Sequence, residues 1–139
     1  MNPSNINSGD RPFSTFDETE FPIVKVTLTG KIKTDNDFIE FTEGWLNLYD
    51  KNEHFYLVFD TKEMKIVNIK YCLYMALFIR KLHKHSKKSY LVNSKIYIYN
   101  KFIFNLLKII FELQKPVAPV NILLFGEQEE SIKNYWIYP

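Results

Sequence analysis

Apolar and polar positions alternate along this chain with two different periods. Residues 23–30 (IVKVTLTG) interleave β-branched and polar side chains and stop at Gly30, which predicts a strand closed by a turn. Phe38, Phe41, Trp45 and Leu48 then recur at helical spacing with Asp37, Glu40 and Glu43 opposite, an amphipathic helix over about 35–50. Thr34 and Asp37 stand at capping-box spacing ahead of it, Asp replacing the usual Glu or Gln. Phe55–Phe59 (FYLVF) is continuously apolar, as a fully buried strand would be, and ends in the turn-prone pair Asp60-Thr61. A second helix is predicted over roughly 68–86, with Asn68 as N-cap and cations from Arg80 to Lys88 suiting the negative end of its dipole. Lys95–Tyr99 predicts another strand, and Asn100 caps a third helix from Lys101 to about Gln114. Pro116 and Pro119 stop that helix; residues 120–126 (VNILLFG) predict a last strand, and Glu127 to about Tyr135 a short terminal helix.

The resulting order, β-α-β-α-β-α-β-(α), is that of an α/β layered fold. The expectation is one domain over 21–139, a four-stranded mixed sheet with about four helices. A polar tail over 1–20 precedes it and carries an N-terminal edge strand near Phe13–Phe16. In such folds the working site lies where strands hand over to helices, here between Asp60 and Asn68.

Charge and composition narrow the setting. The net charge is only +2, yet residues 64–111 contain ten Lys or Arg and no acid, so the rest of the chain sums to −8. A single cysteine, Cys72, excludes an intramolecular disulfide and suits a reducing compartment. The longest uncharged apolar run, Tyr71–Ile79, is about half of what a bilayer span needs, and no secretory signal is visible. These features predict a soluble cytoplasmic protein without a transmembrane segment.

Three stretches resemble the STAS domain, the fold of bacterial anti-sigma-factor antagonists and of anion-transporter tails. LTGKI at 28–32 is similar to the family's L-x-G-x-[LI] turn. FDTKEMKIVN at 59–68 follows its L-D-[LF]-x-x-V-x-x-[IL]-D segment without gaps, Asp60 and Asn68 falling on the two aspartates. IYIYNKFIFNLLKII at 96–110 is similar to its last strand-to-helix unit, and the likeness spans about 21–132. The resemblance implies a regulatory protein-binding module. It departs at the family's phosphorylation motif, D-S-[ST]-G-[LV], which here reads Asn68-Ile69-Lys70-Tyr71-Cys72. Ile69 stands in the serine position, so the phospho-switch is expected to be lost.

Little else suggests chemistry. His83 and His85 point apart on a helix and have no acid or cysteine beside them to complete a metal site. His54 is isolated, Cys72 lies among apolar residues, and Asp60 is a lone carboxylate without a histidine or second acid. No Gly-rich phosphate loop or hydrolase motif is present, so neither an enzyme nor a cofactor is predicted. Lys84, Lys87, Lys88 and Lys95 with Tyr90, Tyr97 and Tyr99 are the nucleic-acid candidates. Strand packing is the simpler account of the tyrosines at 97 and 99, and no nucleic-acid module is recognisable.

Two functional surfaces remain. Excess apolar residues on the second and third helices, namely Tyr74, Met75, Phe78, Phe104, Leu107 and Phe111, predict either packing of the two helices on each other or a surface for a protein partner, a second copy included. In that reading Leu73, Ala76 and Leu77 face the sheet. The alternative function is binding of a small anion, nucleotide or lipid headgroup at the second helix's N-terminus. There the resemblance brings Lys31 and Lys33 toward Asn68 and Lys70, with Asp60 opposing.

Overall fold

The computed structural model describes residues 11–126 and 132–139. Nine principal elements follow in chain order: β1 (Ser14–Asp17), β2 (Ile23–Leu28), α1 (Asp35–Leu48), β3 (Phe55–Asp60), α2 (Lys70–His83), β4 (Leu91–Ile98), α3 (Lys101–Leu113), β5 (Val120–Phe125) and β6 (Ile132–Ile137). Short 3-10 turns occupy Tyr49–Lys51 and Lys88–Tyr90.

The α/β class is as the periodicities predict, but the sheet is wider. It has six strands in the order β1-β2-β3-β4-β5-β6, and three helices accompany it. Strands β2 to β5 are parallel, and β1 and β6 pair antiparallel at the two edges. The sheet begins at Ser14, within the stretch whose composition reads as a tail; residues 1–10 lie outside the described residues. The predicted terminal helix is overturned over its second half, where Ile132–Ile137 is a strand. Alternating contacts explain why: Tyr135 packs on Phe104 of α3 while Trp136 points to the other face. Residues 127–131, its first half, lie outside the described residues.

Each parallel strand is followed by a helix and then by its immediate neighbour in the sheet. Right-handed crossovers repeated in one direction place every helix on the same face. Burial agrees: Val24, Val26, Phe55, Leu57, Phe59, Ile96, Ile98, Ile122 and Leu124 are buried, whereas the residues between them are largely exposed or half-buried. Among the described residues no helix covers the other face.

The core is aromatic. Trp45 on α1 lies 5.6 Å from Phe59 of β3, 5.3 Å from Phe78 of α2 and 6.1 Å from Phe41, ring centre to ring centre. Its indole N–H donates to the Tyr49 hydroxyl at 3.2 Å, and burial pushes that hydroxyl's pKa up. Asp37 accepts from the Thr34 amide at 3.1 Å and from the Lys33 amide at 2.7 Å, so the short acid completes the cap that its spacing predicts. Gly30 has φ +105, and a Cβ there would collide with the carbonyl oxygen of Glu63. This fits the β2–α1 loop tightly against the β3–α2 loop.

Because Trp45 joins one strand to two helices, truncating it opens a cavity that no single neighbour can fill. Trp45→Ala is expected to lower the unfolding free energy by about 3–5 kcal/mol in a denaturant titration. A loss below about 1 kcal/mol would show that the ring does not seat α1.

Candidate functional site

The carboxyl ends of β2, β3 and β4 and the first turns of all three helices meet along one edge of the sheet, where Asp60, Asn68 and Lys70 fall. Asn100 ties this edge together. Its Oδ1 accepts from the Ile103 amide at 2.9 Å, capping α3 as predicted, while its Nδ2 donates to the Met64 carbonyl, also at 2.9 Å. Thr61 is buried and donates its hydroxyl to the Tyr97 carbonyl at 2.7 Å, which fixes the end of β3 on β4.

At α2 the helix starts one residue later than predicted. Ile69 is the N-cap, and Asn68 accepts from the Lys70 amide at 3.0 Å, closing an Asx turn ahead of the helix. Ile69, in the position where the resembling family has its serine, is 63% exposed and offers no hydroxyl. The Tyr71 ring is buried while its hydroxyl reaches Asp35 Oδ1 at 2.8 Å. Lys70 Nζ lies 3.1 Å from the same oxygen. The hydrogen bond from Tyr71, then that from Lys70, holds the Asp35 carboxyl below its ordinary range. The same contact raises the Lys70 pKa, and burial followed by the hydrogen bond to Asp35 raises that of Tyr71.

The anion candidates therefore behave differently from one another. Lys70 is met by Asp35, an acid not anticipated at this place although it stands one residue from the predicted cap Thr34. Asp60 turns back to accept from the Lys62 amide at 2.9 Å. Lys31 and Lys33 are exposed on the α1 side. Asp35, Asp37 and Asp60 are interspersed among Lys31, Lys33 and Lys70, and Lys62, Lys65 and Lys101 lie at the same edge with Glu63.

The predicted apolar surface needs correction in its membership. Phe78 and Phe111 belong to the core, Met75, Phe104 and Leu107 are half-buried, and Tyr74 alone of the six is exposed, its ring tilted against Phe38 and edge-to-face with Tyr71. Two packing facts account for this. Phe78 and Tyr71 turn α2 toward Trp45 and Phe38 of α1, 5.3 and 5.7 Å away. The unanticipated β6 extends the sheet beneath α3, where Phe104 meets Tyr135 at 4.8 Å. The side chains left outside are Leu73, Leu77 and Ile69 on α2 and Phe102, Ile109 and Leu113 on α3. Leu73 and Leu77, read from sequence as facing the sheet, are 56% and 55% exposed. Ala76, between them in sequence, is buried and so keeps its predicted place.

These six converge. Helix α2 lies between α1 and α3, and both α2 and α3 run opposite to the parallel strands, hence parallel to each other. At about 100° per residue, Leu73 and Leu77 lie on the outer face of α2, roughly opposite buried Leu82 and Ile79, while buried Ala76 and Cys72 occupy the flank away from α1. Phe102, Ile109 and Leu113 lie on the flank of α3 away from Phe104. The outer face of α2 and the α2-facing flank of α3 thus adjoin along the junction of the two helices. Under the helical layer an apolar cavity of about 140 Å³ is lined in part by Met64, Met75, Ile103 and Leu107.

Other reactive groups are engaged in structure. His83 Nε2 lies 2.7 Å from the Lys115 carbonyl, His85 accepts from the Lys87 amide at 3.0 Å, and His54 packs edge-on against Tyr90. Cys72 is buried, and that burial raises its thiol pKa, disfavouring thiolate. Among the described residues no group of three or more His, Cys, Asp or Glu is placed to hold a metal ion, and no helix is long and apolar enough to cross a membrane. Comparison of the chain with protein-family models, with curated proteins and with solved structures gives no match.

The Asp35–Tyr71 contact makes a prediction about titration. A carboxyl whose pKa is depressed by folding contributes stability above the ordinary carboxylate range and loses it as pH falls through its lowered value. In Tyr71→Phe, the Asp35 carboxyl followed by NMR should titrate higher than in the parent, and the acid unfolding limb should shift the same way. An unchanged Asp35 titration would show that the tyrosine hydroxyl does not hold it.

Proposed function

We propose that this chain is a non-catalytic regulatory module of the STAS type that acts by binding protein, without the phosphorylation switch of the bacterial antagonists. One observation carries the reading: six large apolar side chains, Ile69, Leu73, Leu77, Phe102, Ile109 and Leu113, stand exposed along the seam of two neighbouring helices. A solvated helix face does not need them for stability, and an uninterrupted apolar surface with a charged border is what protein contacts use. Arg80, Lys81 and Lys101 border it, so the partner surface would be apolar at its centre and acidic at its rim. The element order and the three matching motifs support the family. Ile69, where the phosphorylatable serine would be, supports a contact that is constitutive rather than switched.

The pairing of Lys70 with Asp35 at the α2 N-terminus does not favour the alternative of an anion or headgroup ligand there. A second copy of the chain is the simplest partner to test. Sedimentation velocity over a concentration series should show self-association that disappears in the Leu73→Lys/Leu77→Lys double variant. If the parent sediments as a monomer throughout, a photo-crosslinking residue at position 73 should give a discrete product in the cells that make the protein, with none from position 43 on α1. A strict monomer with no product at 73 would overturn the reading.

A further inference from the structure

The face of the sheet without helices carries a second, chemically different feature. Side chains there align in rows set by the strand register, and one row reads Lys25, Val58, Lys95, Asn121, Trp136 from β2 to β6. Asn121 is flanked directly by Lys95 on β4 and Trp136 on β6. One step along the strands brings Leu123, Asn93 and Asn134 around it. Together these side chains line a concavity of about 290 Å³.

Asn121 is the anomaly. It is only 6% exposed, and its Oδ1 is buried without a hydrogen-bond partner, the one such side-chain atom among the described residues. An acceptor left in that condition is destabilising, and an apolar residue of similar size would remove the cost. On this face β3 follows that simpler course, with Val58 two strands away in the same row. A polar group kept at this expense beneath an open concavity marks a place where a turn of the carboxamide would present it to an external donor.

From this geometry we infer that Asn93, Lys95, Asn121, Asn134 and Trp136 form a binding site for a single sugar ring. Three carboxamides each offer both a donor and an acceptor, which matches hydroxyl groups that do the same. Trp136 is 51% exposed and supplies a flat apolar wall for the C–H face of the ring; Tyr138 stacks on it at 6.1 Å and steadies it. Lys95 adds one further donor to the rim. The volume lies at the lower end of ligand sites and suits one ring rather than a chain of them. A nucleotide is a poorer match, because Lys95 is the one cation among the lining residues and no helix N-terminus opens on this face to receive a phosphate. Nor do the nearby aromatics provide a stacking platform, since Tyr99 and Phe125 stack face to face at 4.9 Å and Tyr97 joins them at 5.8 Å.

The ring could arrive as a free monosaccharide or as the end of a glycan, and the test separates the two. The protein is titrated with the methyl glycosides of glucose, mannose, galactose and N-acetylglucosamine at millimolar concentration, and with the corresponding trisaccharides. Proton–nitrogen NMR follows the Trp136 indole N–H and the Asn121 side-chain amide, with the Trp45 indole, buried on the helical side, as internal control. At least one sugar is expected to move the first two signals and leave the third. A trisaccharide that binds more weakly than its monosaccharide identifies the free sugar, and one that binds equally or more tightly identifies a glycan end. Trp136→Ala should weaken binding at least tenfold. Asn121→Leu should abolish it while leaving the melting temperature unchanged or higher, because the unpaired acceptor is gone. Should Asn121→Leu fail to fold, the tryptophan variant decides. The site is overturned if no sugar moves either signal, if Trp136→Ala binds like the parent, or if adenosine monophosphate binds there more tightly than every sugar.

Discussion

The order of the strands in the sheet is the constraint from which the rest of the structure follows. Each parallel strand lies beside the one that precedes it in the chain, so three successive crossovers of one hand stack α1, α2 and α3 on a single face. In a doubly wound fold both faces would be buried and little surface would be left to explain. Here the helical side holds the whole aromatic core, centred on Trp45 with Phe41, Phe59 and Phe78. The opposite side carries no helix among the described residues, and its side chains serve something other than helix packing. The two proposed surfaces are therefore separated by the thickness of the sheet, and neither competes with the other for residues.

The helical surface shows how an apolar excess is resolved by geometry. Both α2 and α3 carry more large apolar residues than a sheet below them can cover. Part of the excess is taken up laterally, Phe78 and Tyr71 by α1 and Phe104 by β6. The part left over is concentrated on the seam between the two helices, where a second polypeptide could cover Leu73, Leu77, Phe102 and Leu113 at once. At the helix N-termini, by contrast, Asp35 balances Lys70 within the chain, and the cluster tightens the α1–α2 contact.

Much of this fold was legible from periodicity. The amphipathic helix at Phe38–Leu48, the strand at Phe55–Phe59 and the Asn100 cap each follow from a pattern that local structure alone decides, although that strand is buried on one face only, with Tyr56 exposed. What was not legible depends on partners distant in sequence. The strand at Ile132–Ile137 is defined by pairing with β5 and by Tyr135 against Phe104, and its own residues, IKNYWI, do not announce a period. The rotation of α2 was misread because Leu73, Leu77, Tyr74 and Phe78 are equally apolar; contact with Trp45 decides which of them turns inward. Asn121 gave no signal at all in sequence, since an asparagine within VNILLF becomes anomalous only when its burial and its missing partner are seen.

The central claim is that the α2–α3 seam is an apolar surface left open by the chain's own fold. Solvent paramagnetic relaxation of side-chain methyls, measured on dilute monomer with a soluble gadolinium or nitroxide probe, tests it most directly. Leu73, Leu77 and Leu113 should relax strongly, and Ile79, Leu106 and Ile110 weakly. Protection of Leu73 and Leu77 equal to that of Leu106 would mean that the chain covers this seam itself, and would contradict the account.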